Sequence, residues 1–159
     1  MADITIPVYM DTSITTDQVK GTIMVLTGAV SSEGIPIAKP AANSTTPMIG
    51  VLKEDWTVNT TDPAGSAVLA VSLAGTATLK RELAIISVDN PLVPVEMGGS
   101  ATTVVPGDYI IALAGGLGDK WVTGSSHLKQ GRVVTLGPLK GVASDLLWIV
   151  PTENLGAIA

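Results

Sequence analysis

Glycine and proline limit this chain more than any other feature. Seventeen glycines and ten prolines are spread over 159 residues. Glycine weakens a helix interior and proline breaks one, so long helices have little room and tight turns have much. Turn signals are dense at Ser32-Glu33-Gly34, Asp62-Pro63-Ala64-Gly65, Pro106-Gly107-Asp108 and Gly115-Gly116-Leu117-Gly118-Asp119. Gly, Pro and Asp supply the backbone angles those turns need. Short apolar runs lie between them, over residues 21–26, 48–52, 67–79, 83–88, 109–114, 132–136 and 146–150.

The prevailing period is two. Over residues 67–79 the odd positions are Ala67, Leu69, Val71, Leu73, Gly75, Ala77 and Leu79, while Ser72, Thr76 and Thr78 fall on the other face. That is a strand with one apolar side, bent or bulged at Gly75. Residues 109–114 and 145–150 are apolar on both faces, as strands between two layers are. The expected fold is mainly β, a small barrel or sandwich with few short helices. The best helix candidates are residues 16–20 and 79–85. Two halves echo each other: "GTIMVLTGAV", "PMIGVL" and "AVLAVSLAGT" are followed later by "GDYIIALAGG", "GRVVTLGPL" and "LLWIVP". Each series runs Gly-flanked strand, Gly-containing strand, apolar strand.

The length fits one domain with an appended arm. Residues 1–18 form the expected arm and 19–159 a single β domain, with a core over 19–88 and a β extension over 89–159 as the alternative division. In the arm Ile4, Ile6 and Val8 share a face, and Pro7 cannot donate to a ladder. The segment is therefore an edge strand of the domain or an extended arm that adds to a partner's sheet. The beginning lacks the basic and long apolar regions of a signal peptide. The longest uncharged central run is too short and too rich in Ala, Gly, Ser and Thr for a membrane helix, so no membrane partner is expected. Two Asn-x-Thr patterns, at Asn43 and Asn59, read as loop sequence.

Little in the chain could do chemistry. There is no cysteine, which excludes disulfides, zinc thiolates and cysteine nucleophiles. The single histidine, His127, sits beside Ser126 in a Gly/Ser loop, and loop neighbours seldom reach triad geometry. The carboxylates of Glu54 and Asp55 would face opposite ways on a strand. Gly116-Leu117-Gly118 starts like a dinucleotide fingerprint, but Trp121 stands where the third glycine belongs, so a hairpin turn is expected there. No residues have metal-ligand spacing. The expectation is no enzyme, no metal and no cofactor.

Charge narrows the partners. The net charge is −5, which opposes duplex nucleic-acid binding. Charged residues make up 14% of the chain, well under the usual quarter for a soluble domain, which leaves apolar surface for a subunit or a large partner. Among the aromatics, only Trp121, after Lys120, resembles a base-stacking platform. Trp148 in its apolar strand and Trp56 at a strand end are candidate subunit-interface residues.

Residues 20–85 resemble the capsid decoration, or cement, proteins of tailed bacteriophages, of the lambda-like β-tulip kind. The stretches that carry the resemblance are Ile23-Met24-Val25-Leu26, Ile49-Gly50-Val51-Leu52, Val68-Leu69-Ala70-Val71-Ser72-Leu73 and Gly75-Thr76-Ala77. Residues 86–159 depart from that pattern. The resemblance implies a β-tulip-like fold and a non-enzymatic homotrimer, made in the host cytoplasm. It also implies a place on the outer surface of the mature capsid, with the major capsid protein as partner. The arm, through Ile4, Ile6, Val8 and Tyr9, would order against the shell. Binding the assembled lattice and not its dissociated parts would stabilise it by mass action. The alternatives are another β-rich virion component, such as a fibre base or adhesin module, and a trimeric β-fold hydrolase whose nucleotide motifs the chain lacks.

Overall fold

In the computed structural model the described residues are 5–11, 13–31, 34–42, 48–57, 83–87 and 92–151. They form a closed five-stranded β-barrel, barrel 1, and a second five-stranded sheet, named barrel 2 below for its matching strand order. The first contains β1 (Thr5–Met10), β2 (Ile23–Val30), β3 (Pro36–Pro40), β4 (Gly50–Leu52) and β5 (Leu83–Ser87), closed in the order β1-β3-β2-β4-β5. The second contains β6 (Val93–Glu96), β7 (Tyr109–Ala112), β8 (Gly118–Lys120), β9 (Gly131–Thr135) and β10 (Leu146–Pro151), in the order β6-β10-β9-β7-β8. A parallel bridge between Met97 and Gly118 links β6 back towards β8.

The two barrels have one topology and one register. Pairing of β1 with β3 is parallel at Met10–Ala38, as is the bridge Met97–Gly118. Antiparallel partners Met24–Pro40, Val25–Lys39 and Leu26–Ala38 match Ile110–Lys120, Ile111–Asp119 and Ala112–Gly118. Ile23–Val51 and Met24–Gly50 match Tyr109–Arg132 and Ile110–Gly131. The ladder from Ile6–Ile86 to Tyr9–Leu83 matches that from Val93–Ile149 to Glu96–Leu146. Connecting hydrogen bonds repeat as well: Gly21 N to Leu52 O and Gly107 N to Val133 O, or Ala41 N to Ile23 O and Trp121 N to Tyr109 O. The first two segments of the sequence echo are thus β2 with β7 and β4 with β9. The third is corrected: β10 corresponds to β5, while residues 67–76 lie outside the described residues, as does the strand expected over 67–79.

Alternation explains the barrel interiors. Val8, Met10, Met24, Ala38 and Leu52 point into barrel 1 and are closed over by Trp56. Their counterparts in barrel 2 include Val95, Met97, Ile110 and Val133. Ile23, Val25 and Val51 alternate with the inward set and so face out of barrel 1. They are nevertheless buried, because with Ala41 and Met48 they join the core of barrel 2 in one continuous cluster. Glu96 N donates to Gly21 O and Met48 N to the Gln130 Oε1 across this seam.

Gly21 (φ +86°) and Gly107 (φ +98°) occupy the same place before β2 and β7. A side chain there would be strained in the left-handed region. Pro7 and Pro94 are also equivalents, opposite Ile85 and Trp148. Each lies where its strand is paired on one side only, since β1 meets β3 at Tyr9 and Met10 and β6 meets β8 through Met97. That position tolerates a missing N–H.

Several expectations change. Residues 16–20 form no helix, and residues 83–85 of the second helix candidate belong to β5. The one helical element among the described residues is a 3₁₀ turn, η1 (Ala114–Gly116), within the hairpin expected around Gly116-Leu117-Gly118. Three strands had no sequence signal: β3, bracketed by prolines; β6, with Pro94 inside it; and β8, which is Gly-Asp-Lys.

Candidate interaction surface

The expected contact residues of the arm are used within the chain. Ile4 lies outside the described residues. Ile6 is half-buried against the core of barrel 1, and Val8 is fully buried in it. Tyr9 is buried too, at 3% exposure. In the single chain, then, Val8 and Tyr9 are committed to barrel 1. Strand β1 hydrogen-bonds to β3 and β5 and closes barrel 1, so its apolar face is consumed before any partner arrives. Trp56 is placed in a similar way. It is buried under barrel 1 and bridged by reciprocal backbone bonds to Gln18. Trp148 is different: it is 42% exposed on β10.

The residues considered for chemistry are dispersed. Glu54 and Asp55 lie on an exposed turn, where a carboxylate oxygen of Asp55 accepts from Lys20 N. His127 is half-buried, and its Nδ1 is shielded with no hydrogen-bond partner among the described residues. No described group of three or more His, Asp or Glu side chains could hold a metal ion. Asp145 is fully buried, but its work is structural. Its carboxylate accepts from Gly137 N, Leu139 N and Gly141 N at 3.0, 3.0 and 2.7 Å, pinning the β9–β10 connection. Glu96, at the seam, has its carboxyl held above the ordinary glutamate range. Burial is the main cause, and the negative charges of Asp55 and Asp145 add to it.

One surface cluster stands out on the outer face of β7, β8 and β9. Lys129 Nζ sits 4.4 Å from the Tyr109 ring centroid and 4.2 Å from that of Trp121. Arg132 Cζ lies 6.0 Å from the Tyr109 ring centroid. Lys120 pairs with Asp108 at 3.3 Å beside them. So the partner of Trp121 is Lys129, not the neighbouring Lys120. Tyr109, Trp121 and Lys129 are half-buried and Arg132 is exposed. Cations over aromatic faces gain about 0.5–1 kcal/mol at such exposed sites. The arrangement keeps a large aromatic area wettable yet available for burial against a partner.

The described residues are therefore a closed β-barrel followed by a sheet of like strand order and register, with an aromatic–cationic face and no grouped catalytic side chains. No protein-family model and no curated protein sequence matches the chain. Among solved structures it is similar to the N base of the head fibre protein gp8.5 of bacteriophage phi29, with a TM-score of 0.56 at 13% identity. That likeness covers 96% of each chain. At this identity the likeness speaks for the fold.

Proposed function

We propose that this chain is a non-enzymatic structural protein of a phage head, a base module seated as a homotrimer on the outer surface of the shell, with the major capsid protein as partner. The observation that carries this reading is the fold likeness to a head fibre base over nearly the whole of both chains. The dispersal of the polar side chains supports it, since among the described residues no nucleophile, base and orienting group are drawn together as catalysis requires. The low charge and the exposed Trp148 suit a protein that spends its working life against others.

A fibre base and a cement protein differ in what their binding does. A base anchors something that projects. A cement protein binds the assembled lattice and raises its stability by mass action. The fold likeness favours the base. With β1 built into barrel 1, the described part of the expected arm outside that strand is the largely exposed stretch around Ser13, Thr15, Thr16 and Asp17.

The test is co-sedimentation of the purified chain with expanded and unexpanded phage shells, followed by heating of the decorated shells. Pelleting with shells supports the head reading. If the heat resistance of the shells is unchanged, the base is supported; if it rises, the protein is a cement protein. A chain that pellets with neither shell overturns the proposal.

A further inference from the structure

The shared register of the two barrels allows every surface of one to be compared with the same surface of the other. The outer face of barrel 1 formed by Ile23, Val25, Ala41, Met48 and Val51 is buried against barrel 2. By the pairings above, its counterpart on barrel 2 is Tyr109, Ile111, Trp121, Lys129 and Arg132. Ile111 alone of these is buried; this is the aromatic–cationic face.

The other side of the joint has a counterpart too. The η1 turn of barrel 2 presses into barrel 1 so closely that a Cβ on Gly116 would meet Ile23 O at 2.5 Å and Thr22 Cγ2 at 2.6 Å. The equivalent of η1 in barrel 1 is the tip of the β2–β3 hairpin. Gly116 N donates to Leu113 O there as Gly34 N donates to Ser31 O, both glycines with positive φ. Around Gly34, however, a Cβ would meet nothing within 4 Å among the described residues. Leu26, on the arm of this hairpin, is exposed where its counterpart Ala112 is buried in the shared cluster, and Val30 is 61% exposed. Each barrel thus has a receiving face and an inserting hairpin. Within one chain, one face and one hairpin are joined, and one of each is left over.

We propose that the face of Tyr109, Trp121, Lys129 and Arg132 is a self-association surface that receives the β2–β3 hairpin of a second copy of this chain. The joint repeats between chains the hairpin-on-face part of the contact made within each chain. Such a contact is heterologous, and it forms a closed ring when its rotation closes. The surfaces suit each other: the hairpin brings exposed Leu26 and Val30, and its sequence carries one acid, Glu33, and no base before Lys39. The receiving face brings two aromatic rings and two cations. This inference rests on the self-associating part of the reading above but not on shell binding.

The test uses two exposed substitutions, Val30→Asp on the hairpin and Arg132→Glu on the face, with mass measured by light scattering over a range of micromolar concentrations. Unchanged urea midpoints establish that both variants fold. The wild-type chain is expected to be a closed oligomer. Each variant should weaken association by about 30-fold or more, as loss of an interface anchor does. Mixing the two gives the sharper result. Val30→Asp retains a sound face and Arg132→Glu a sound hairpin, so the mixture should form a two-chain species and nothing larger. A multi-chain wild type unaffected by either substitution overturns these surfaces while leaving the trimer standing. A wild type that stays monomeric at every concentration overturns both the joint and the trimer, and shell co-sedimentation then judges the head reading alone.

Discussion

Two glycines at equivalent places, one packed and one open, give a matched measurement of the joint between the barrels. Gly116 and Gly34 have φ of +75° and +83°, so alanine at either is strained by about 1–2 kcal/mol. Alanine also stiffens the unfolded chain, which returns about 0.4–1 kcal/mol at either site. Those contributions cancel between the two variants. At Gly116 the new Cβ would overlap backbone, Ile23 O at 2.5 Å, as well as Thr22 Cγ2, with Pro40 Cβ at 3.1 Å. A carbonyl held in a barrel strand cannot swing aside, so overpacking adds about 1–3 kcal/mol. At Gly34 none of the described residues lies within 4 Å and this addition vanishes. Gly34→Ala should therefore cost about 1 kcal/mol or less, and Gly116→Ala about 2–4 kcal/mol. Urea unfolding at a concentration where the chain does not self-associate measures both, and the melting temperatures should separate by roughly 2–4 °C per kcal/mol. Equal costs within about 0.5 kcal/mol, the usual range for surface changes, would refute the packing of η1 into barrel 1.

Other sites yield sharp expectations. Asp145→Ala removes the acceptor for three backbone N–H groups and should cost about 3–5 kcal/mol in urea unfolding. Trp56→Ala should cost about 3–5 kcal/mol, whereas Trp148→Ala should cost less than about 1 kcal/mol, because only the first ring fills a barrel. Glu96 has a raised carboxyl pKa in the folded chain, so the folded state binds its proton more tightly and this group makes stability fall as pH rises through that raised range. Glu96→Gln should thus raise the urea midpoint at neutral pH and lose its advantage below the ordinary value of 4.5. A gain independent of pH would assign the effect to something other than the charge.

The β class was legible because Gly and Pro leave no room for helices and the apolar residues alternate. The interiors followed from the same alternation: Met24 and Leu52 point inward, Ile23 and Val51 outward. Strands β3, β6 and β8 escaped because proline is tolerated at positions paired on one side only, as Pro36, Pro40 and Pro94 are, and because Gly-Asp-Lys is strand only by virtue of its partner β7. The duplication was half visible. Its clearest stretch, Ile6-Pro7-Val8-Tyr9-Met10 against Val93-Pro94-Val95-Glu96-Met97, lay in the segment read as an arm or an edge strand. The aromatic–cationic face was hidden for a different reason. Tyr109, Trp121, Lys129 and Arg132 are separated along the chain, and only cross-strand register brings them together. Alternation along β9 places Arg132 outward, but no local pattern says which rings it will meet.

The contrast between the two equivalent faces follows from when each one is wet. The barrel 1 face is covered by the chain that carries it, as soon as that chain folds. It never needs to be soluble, and Ile, Val, Ala, Met and Val serve it best, because an unpaired charge there would be costly. The barrel 2 face is in water in a single folded chain. Five aliphatic residues in the same positions would be an aggregation hazard before any partner arrived. Rings half-covered by Lys129 and Arg132 avoid that, since the cations stay hydrated while their stems shield the aromatic area. On docking, the same rings can be buried with the charges turned to an acidic rim. One register therefore carries two chemistries: one for a joint that forms with the fold, the other for a joint that must wait for a second molecule.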